Sequence, residues 1–170
     1  DMDSVAPALL ARLEAAGCRV ARHRRDKDET DGELALREAL ALGARRITLL
    51  GAWGGRSDHA LANLGLLALP ELAEVQVVVF DGLSWLWLLR GEGEVQGEAG
   101  DVVSLLPWGG DALGVWTAGL AYPLRDEPLR MGAARGVSNV LLAARARITV
   151  RQGMLLVIHT PRRHLEAPDG

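Results

Sequence analysis

Ile47-Thr48-Leu49-Leu50-Gly51-Ala52-Trp53-Gly54-Gly55-Arg56-Ser57-Asp58-His59 joins an apolar, β-like run to a glycine-rich turn, and Leu61-Ala62-Asn63-Leu64 continues it as a helical pattern. A strand that ends in glycines and enters a helix presents backbone N–H groups, and here also a cation and a carboxylate, where phosphates can be held. The turn is neither a Walker loop nor the dinucleotide fingerprint, and glycines also serve ordinary strand-to-helix connections. Its purpose has to be read from the rest of the chain.

Upstream, Ser4 is a fitting N-cap for a helix with Ala6, Leu9, Leu10 and Leu13 on one half-buried stripe and Gly17 as its stop. Cys18-Arg19-Val20-Ala21 reads as a short strand, and the charged run from His23 to Asp31 as a loop. Thr30-Asp31-Gly32-Glu33 has capping-box spacing and opens a helix with Leu36, Ala39 and Leu40 inward, closed by Gly43, with Glu33 and Arg37 paired at i,i+4 on its wet side. Downstream, a helix from about Asp58 to Leu69 ends at Pro70. Asn63 is its only polar interior residue, so it is expected to be covered on more than one side. Val75–Phe80 is a β-branched run stopped by Asp81-Gly82.

Helices alternating with short apolar strands up to about residue 82 predict a three-layer α/β unit with a mostly parallel sheet. From Ser84 on, the runs Trp85–Leu89, Val102–Leu106, Leu113–Trp116, Ile148–Val150 and Leu155–Ile158 are separated by glycine-rich turns, the pattern of a small β-sandwich or barrel. The expected boundary lies within residues 82–91, giving an α/β domain over residues 1–83 and a β-sandwich domain over residues 84–170.

At 170 residues, 49% apolar, with 19 basic against 22 acidic residues, the chain has the composition of a soluble globular protein. No basic block points to nucleic acid. The most apolar stretch, Val75 to Leu89, is interrupted by Gln76, Asp81, Gly82 and Ser84 and is too short to span a bilayer. Cys18 is the only cysteine, which excludes an internal disulfide and makes a reducing, cytoplasmic setting the default. The sequence opens on Asp1, without an initiator methionine, and runs almost directly into a helix, as expected of a fragment whose upstream segment is missing.

Acidic residues precede each helix of the first half: Asp1 and Asp3, then Asp28 and Asp31, then Asp58. In a parallel α/β sheet such turns lie at the carboxyl ends of the strands, so these carboxylates are expected to converge. Carboxylates without histidine or cysteine partners suit Mg²⁺, with Lys27 and Arg56 supplying positive charge for phosphates. Taken singly, each has an ordinary explanation. Asp31 and Asp58 lie in first helical turns, where the dipole favours a carboxylate. Asp3 can cap a helix, Lys27 and Arg56 can be solvated charges, His59 a hydrogen-bonded turn residue and Trp53 a packing residue. The coincidence of acidic helix starts is what points to a site.

Several motifs carry a family resemblance. Asp1-Met2-Asp3-Ser4 is similar to the tail of a Gly-Asp-x-Asp-Ser motif, Lys27-Asp28-Glu29-Thr30-Asp31 to a Lys-Asp-x-Thr-Asp helix start, and Gly54-Gly55-Arg56-Ser57-Asp58-His59 to a Gly-Gly-Arg-x-Asp-His turn. Ser104-Leu105-Leu106-Pro107, Thr117 to Leu124 and Gly136-Val137-Ser138-Asn139 follow in matching order. Over nearly its whole length the chain resembles the thiamine pyrophosphokinase (thiamine diphosphokinase) family. The resemblance implies an α/β catalytic domain followed by a β-sandwich, and a homodimer with thiamine held between domains of different chains. It also implies transfer of the β,γ-pyrophosphoryl group of ATP to the thiamine hydroxyl, with release of AMP.

By the same resemblance Asp1, Asp3 and Asp31 are the Mg²⁺ ligands, and Lys27, Asp28, Thr30 and His59 lie beside the nucleotide. Arg56 and Asp58 hold the phosphates and, with Asp3 and Asp31, form the catalytic set. Ser138 and Asn139 hydrogen-bond the aminopyrimidine and Tyr122 stacks on it. Either Asp3 or Asp31 is placed to accept the hydroxyl proton. Three features depart from the family pattern. Val140 stands where bacterial members often carry glutamate, Ala121 replaces a frequent lysine, and no Asp-Gly-Gly strand precedes Asp1. These departures keep open a second reading, a nucleotide- or thiamine-binding module without turnover.

Overall fold

Thr30 decides where the second helix begins: its Oγ1 accepts the backbone N–H of Glu33 at 3.2 Å, as the capping-box spacing predicts. In the computed structural model, which describes residues 5–23 and 28–165, the chain divides into two compact units, residues 1–42 and 43–170.

The first unit carries α1 (Pro7–Ala15) and α2 (Asp31–Ala41). Pro7 opens α1 at the position that tolerates a missing N–H, and the helix closes in a Schellman motif. There Gly17, at φ +83°, donates to the Glu14 carbonyl and Cys18 to that of Leu13, both at 3.0 Å. Ser4, expected as the N-cap, lies outside the described residues. The apolar stripe expected to be half buried is largely open: no residue of α1 is buried, and Leu9 and Leu13 are exposed. Cys18–Ala21 forms no strand. The unit has no described strand to complete a ladder, and the segment is held instead by ion pairs, Arg19 to Glu38 at 2.5 Å and Arg22 to Glu14 at 2.6 Å. In α2 Leu36 is buried, and Arg37 bonds Glu33 through Nη2 at 2.7 Å.

The second unit starts with β1 (Arg46–Leu50), which leads through the glycine turn into α3 (Ser57–Leu66) and then to β2 (Gln76–Phe80), parallel to β1 with Leu49 opposite Val79. Past Leu66 the chain tightens into i−3 hydrogen bonds up to Leu69, and Pro70 then starts a short 3-10 turn, so α3 ends before the expected Leu69. Ala60, Leu64, Leu66 and Leu67 are buried while Leu61 is 59% exposed, so this unit covers α3 on one side.

The expected mostly parallel sheet is a mixed one. After β2, the Asp81 carboxylate accepts the N–H groups of Leu83 at 2.8 Å and Ser84 at 2.6 Å and folds the chain back, so β3 (Trp85–Leu89) returns antiparallel. So short a connection cannot carry the crossover that a parallel neighbour needs. Among the described residues the six-stranded sheet has the order β1-β2-β3-β10-β5-β8, with β5 (Val102–Pro107), β8 (Asn139–Val140) and β10 (Leu155–Thr160), and β1-β2 is the one parallel pair. A four-stranded sheet has the order β4-β9-β6-β7, from β4 (Glu92–Gln96), β6 (Ala112–Ala118), β7 (Glu127–Leu129) and β9 (Arg145–Thr149). Val103, Leu105, Leu155 and Val157 of the first sheet share one buried core with Val95, Val115, Leu129 and Ile148 of the second, which makes this part a β-sandwich. The expected boundary between residues 83 and 84 falls in the β2–β3 hairpin, inside the continuous six-stranded sheet.

At the end of β10, α4 (Arg162–Leu165) is fixed by the buried Asp101, whose carboxylate accepts the N–H of Arg162 and of Glu98, each at 2.9 Å, and meets His159 Nε2 at 2.8 Å. Burial opposes ionisation of Asp101, but these hydrogen bonds outweigh it and hold the carboxyl below its usual range. No helix among the described residues is long and apolar enough to cross a membrane.

Candidate active site

Gly51, Gly54 and Gly55 stand at φ +71°, +118° and +64°, backbone states that a side chain disfavours, which is why this strand-to-helix turn is built of glycines. Asn63, the lone polar residue inside α3, donates its amide to the Ala52 carbonyl at 2.9 Å and ties the turn to the helix. Arg56 takes an extended conformation as N-cap of α3 and makes no side-chain cap there. Its guanidinium instead grips Asp58 bidentately, Nε to Oδ1 at 3.1 Å and Nη2 to Oδ2 at 2.6 Å. That bond, helped by the His59 N–H at 2.9 Å, lowers the Asp58 carboxyl to about 2, and Asp58 in turn raises the Arg56 pKa. Arg56, Asp58 and His59 are all exposed. Beside them lies a cavity of about 240 Å³ lined by Trp53, Gly54, Gly55, Arg56, Ser57 and Leu61. A cation held in one orientation next to a helix N-terminus is suited to bind phosphate oxygens.

In the first unit Asp31 is the exposed first residue of α2, Asp28 is exposed just before it, and Thr30 is half-buried with its hydroxyl on the Glu33 N–H. Asp31 borders a cavity of about 450 Å³ whose lining includes Arg19, His23, Leu34, Glu38 and Leu42. Asp1, Asp3 and Lys27 lie outside the described residues. Among the described residues no three His, Cys, Asp or Glu side chains come together as a metal site. Asp28 and Asp31 are exposed residues that carry carboxylates, the donor chemistry that Mg²⁺ takes.

Tyr122, Ser138 and Asn139 are brought together in the second unit. Asn139 is 5% exposed, and its Oδ1 accepts the N–H of Tyr122 and of Val140, each at 2.9 Å, while its Nδ2 donates to the Tyr122 carbonyl at 2.6 Å. Ser138 precedes it at φ +57°, a left-handed state unusual for serine, with its N–H on Ser104 Oγ at 3.0 Å. Gly136 packs edge-on against β5, where a Cβ would collide with the Leu105 carbonyl oxygen.

Residues 1–79 match the sequence profile of the thiamin pyrophosphokinase catalytic domain, and residues 93–155 that of the thiamin pyrophosphokinase vitamin B1 binding domain. This chain belongs to the thiamine pyrophosphokinase family. It is 27% identical over 162 residues to thiamine pyrophosphokinase of Bacillus subtilis, covering 94% of this chain and 76% of that one. The crystal structure of the Bacillus subtilis thiamine pyrophosphokinase superposes with a TM-score of 0.83 at 27% identity, over 95% of this chain and 76% of the other. That of the Geobacillus thermodenitrificans thiamin pyrophosphokinase does so with a TM-score of 0.78 at 28% identity, over 94% and 74%. Thiamine pyrophosphokinase 1 of rice is 25% identical over 173 residues, covering 93% of this chain and 63% of its own length.

In this thiamine pyrophosphokinase relative, the supporting roles of three residues appear only in the structure: Asn63, Ser104 and Gly136. Asn63 had a visible signal, a single amide in an otherwise apolar helix. Ser104 and Gly136 each open one of the family motifs, but the contacts they make across strands, with Ser138 and Leu105, have no local mark in the sequence.

Proposed function

We infer that this chain acts as a thiamine diphosphokinase, transferring the pyrophosphoryl group of ATP to the thiamine hydroxyl and releasing AMP. The observation that carries the reading is the match of both domains of one enzyme family, catalytic then vitamin B1 binding, in order along the chain. Residues 1–83 form the nucleotide-handling domain and residues 84–170 the thiamine-binding β-sandwich.

Arg56, held by Asp58 at the start of α3, is oriented to neutralise phosphate oxygens, and Lys27, Asp28, Thr30 and His59 complete the nucleotide side. Asp31, with Asp1 and Asp3, would hold Mg²⁺, which when bound draws negative charge from the phosphates. The thiamine hydroxyl oxygen bonds to the β-phosphorus as the bond to the AMP oxygen breaks, and its proton leaves to Asp3, Asp31 or water. Positioning and charge neutralisation supply most of the catalysis. Tyr122, Ser138 and Asn139 make the thiamine side. The chain works in the cytoplasm as a homodimer with the active site between subunits, and the exposed apolar Leu61, Met131 and Leu142 supply surface for a partner.

The test is AMP formation from ATP and Mg²⁺ with and without thiamine. Thiamine-dependent AMP is the expected result; ADP would mean a simple kinase. Thiamine binding without AMP would mean the binding module, the reading that Val140 favours. Asp31→Asn is expected to cut turnover by on the order of 10²-fold with an unchanged circular dichroism spectrum, and normal turnover in that variant would remove Asp31 from the metal set.

A further inference from the structure

Asn139 sits where one residue serves two edges. Its backbone pairs with β5, with Asn139 opposite Val103, and its side chain faces the segment around Tyr122. That segment runs alongside β8: Ala121 N–H donates to the Val140 carbonyl at 2.9 Å, Leu142 N–H to that of Gly119 at 3.0 Å, and Leu120 bridges Leu141. The next backbone rung is missing, and the Asn139 amide replaces it, accepting from the Tyr122 N–H and donating to the Tyr122 carbonyl. Two N–H donors converge on Oδ1 and a carbonyl faces Nδ2, so the partners themselves fix which way the amide points. Pro123 follows, and a proline narrows the backbone freedom of the residue before it. The outcome is an aromatic side chain that is 62% exposed on a backbone pinned at both of its polar groups.

We propose that Asn139, to which the resemblance gives a hydrogen bond with the aminopyrimidine, serves the thiamine side instead as a positioning residue for Tyr122, fixing that ring as a rigid platform for the heteroaromatic ring of the acceptor substrate without itself contacting the substrate. This deepens the functional reading above and rests on it for the identity of the substrate. A side-chain amide that is buried and bonded to the Tyr122 backbone at both ends is poorly placed to reach a ligand. A loop aromatic whose backbone is fixed beforehand loses less freedom when a ring stacks on it.

Tyr122 is the only tyrosine of the chain, so a protein grown with 3-fluorotyrosine carries one ¹⁹F reporter at the residue in question. Without any substrate, Asn139→Asp, which keeps the shape and the acceptor but loses the donor to the Tyr122 carbonyl, is expected to move and sharpen that resonance toward free fluorotyrosine. In steady state, Asn139→Ala and Asn139→Asp are expected to raise KM for thiamine about tenfold while kcat and KM for ATP change less. In a Tyr122→Ala background, adding Asn139→Ala is expected to have no further effect on KM for thiamine. An unmoved ¹⁹F resonance in Asn139→Asp, or Asn139 and Tyr122 effects that simply add, would overturn the proposal, the second by showing that Asn139 meets thiamine on its own. If Asn139→Ala does not fold, the isosteric Asn139→Asp carries both arms. If the wild-type chain forms no thiamine-dependent AMP, the functional reading fails, and the substrate-free resonance still decides whether Asn139 holds Tyr122.

Discussion

The glycine turn at residues 51–59 and the segment joining Tyr122 to Ser138 and Asn139 are each secured by an asparagine amide on a backbone carbonyl, Asn63 on Ala52 and Asn139 on Tyr122. They differ in how much else is fixed. The turn reaches its positive φ values with glycines, and its charged pair bonds mainly to itself at the surface. The second segment reaches φ +57° with a serine, held by Ser104 on one side and by Gly136 against β5 on the other. A region built of glycine and exposed charge can adjust around a flexible, charged triphosphate. A region locked before the ligand arrives suits a flat, rigid ring.

The sharpest way to break this comparison is Arg56→Ala. Removing the oriented cation is expected to lower kcat/KM for ATP by on the order of 10²-fold and to leave thiamine affinity, read by calorimetric titration, within about twofold. An equal loss for both ligands would erase the distinction between the two regions. Next is Gly136→Ala. The new Cβ collides with the Leu105 carbonyl, so the chain should lose about 1–3 kcal/mol by urea unfolding, with thiamine binding weakened before nucleotide binding.

A smaller effect separates the two sources of positive φ. Gly55→Ala, at φ +64° with open space around the missing Cβ, is expected to cost about 1 kcal/mol from backbone strain alone. Ser138→Gly relieves comparable strain while loosening the unfolded chain, so its net change is expected to stay within about 0.5 kcal/mol.

The finest is a titration. Asp58 has its folded pKa depressed from 3.8 to about 2, so its contribution to stability is present above pH 3.8 and is lost as pH falls through about 2. Carboxyl ¹³C NMR should find that midpoint near 2 and see it rise toward 3.8 in Arg56→Ala. A midpoint unmoved by the substitution would mean that Arg56 does not hold Asp58.

What the sequence disclosed follows the reach of each interaction. Caps and turns act over three or four residues, so Thr30, Gly17 and the glycine turn were legible directly. Strands buried on a face announced themselves as apolar runs. β4, β7 and β8 did not, and all three lie at sheet edges: Glu92-Gly93-Glu94-Val95-Gln96 has one apolar residue, Glu127-Pro128-Leu129 contains a proline, and Asn139-Val140 has only two residues. Asp81-Gly82 was read as the end of a strand, but the side chain of Asp81 makes it a reversal, and that local detail turned a parallel expectation into a mixed sheet. The Ser138-Asn139 pair was visible as a motif, yet the work of Asn139 is directed at a residue 17 positions away. No spacing rule links an amide to a backbone rung that another segment leaves open.

The position of β10 has a consequence for how the molecule is made. Leu155–Thr160, the last strand among the described residues, lies between β3 and β5 and pairs with both. Until it emerges from the ribosome, β3 and β5 each present an unpaired edge, and the six-stranded sheet exists as separate pieces. Long-range closure of this kind tends to slow folding and leaves strand edges open until the last partner pairs.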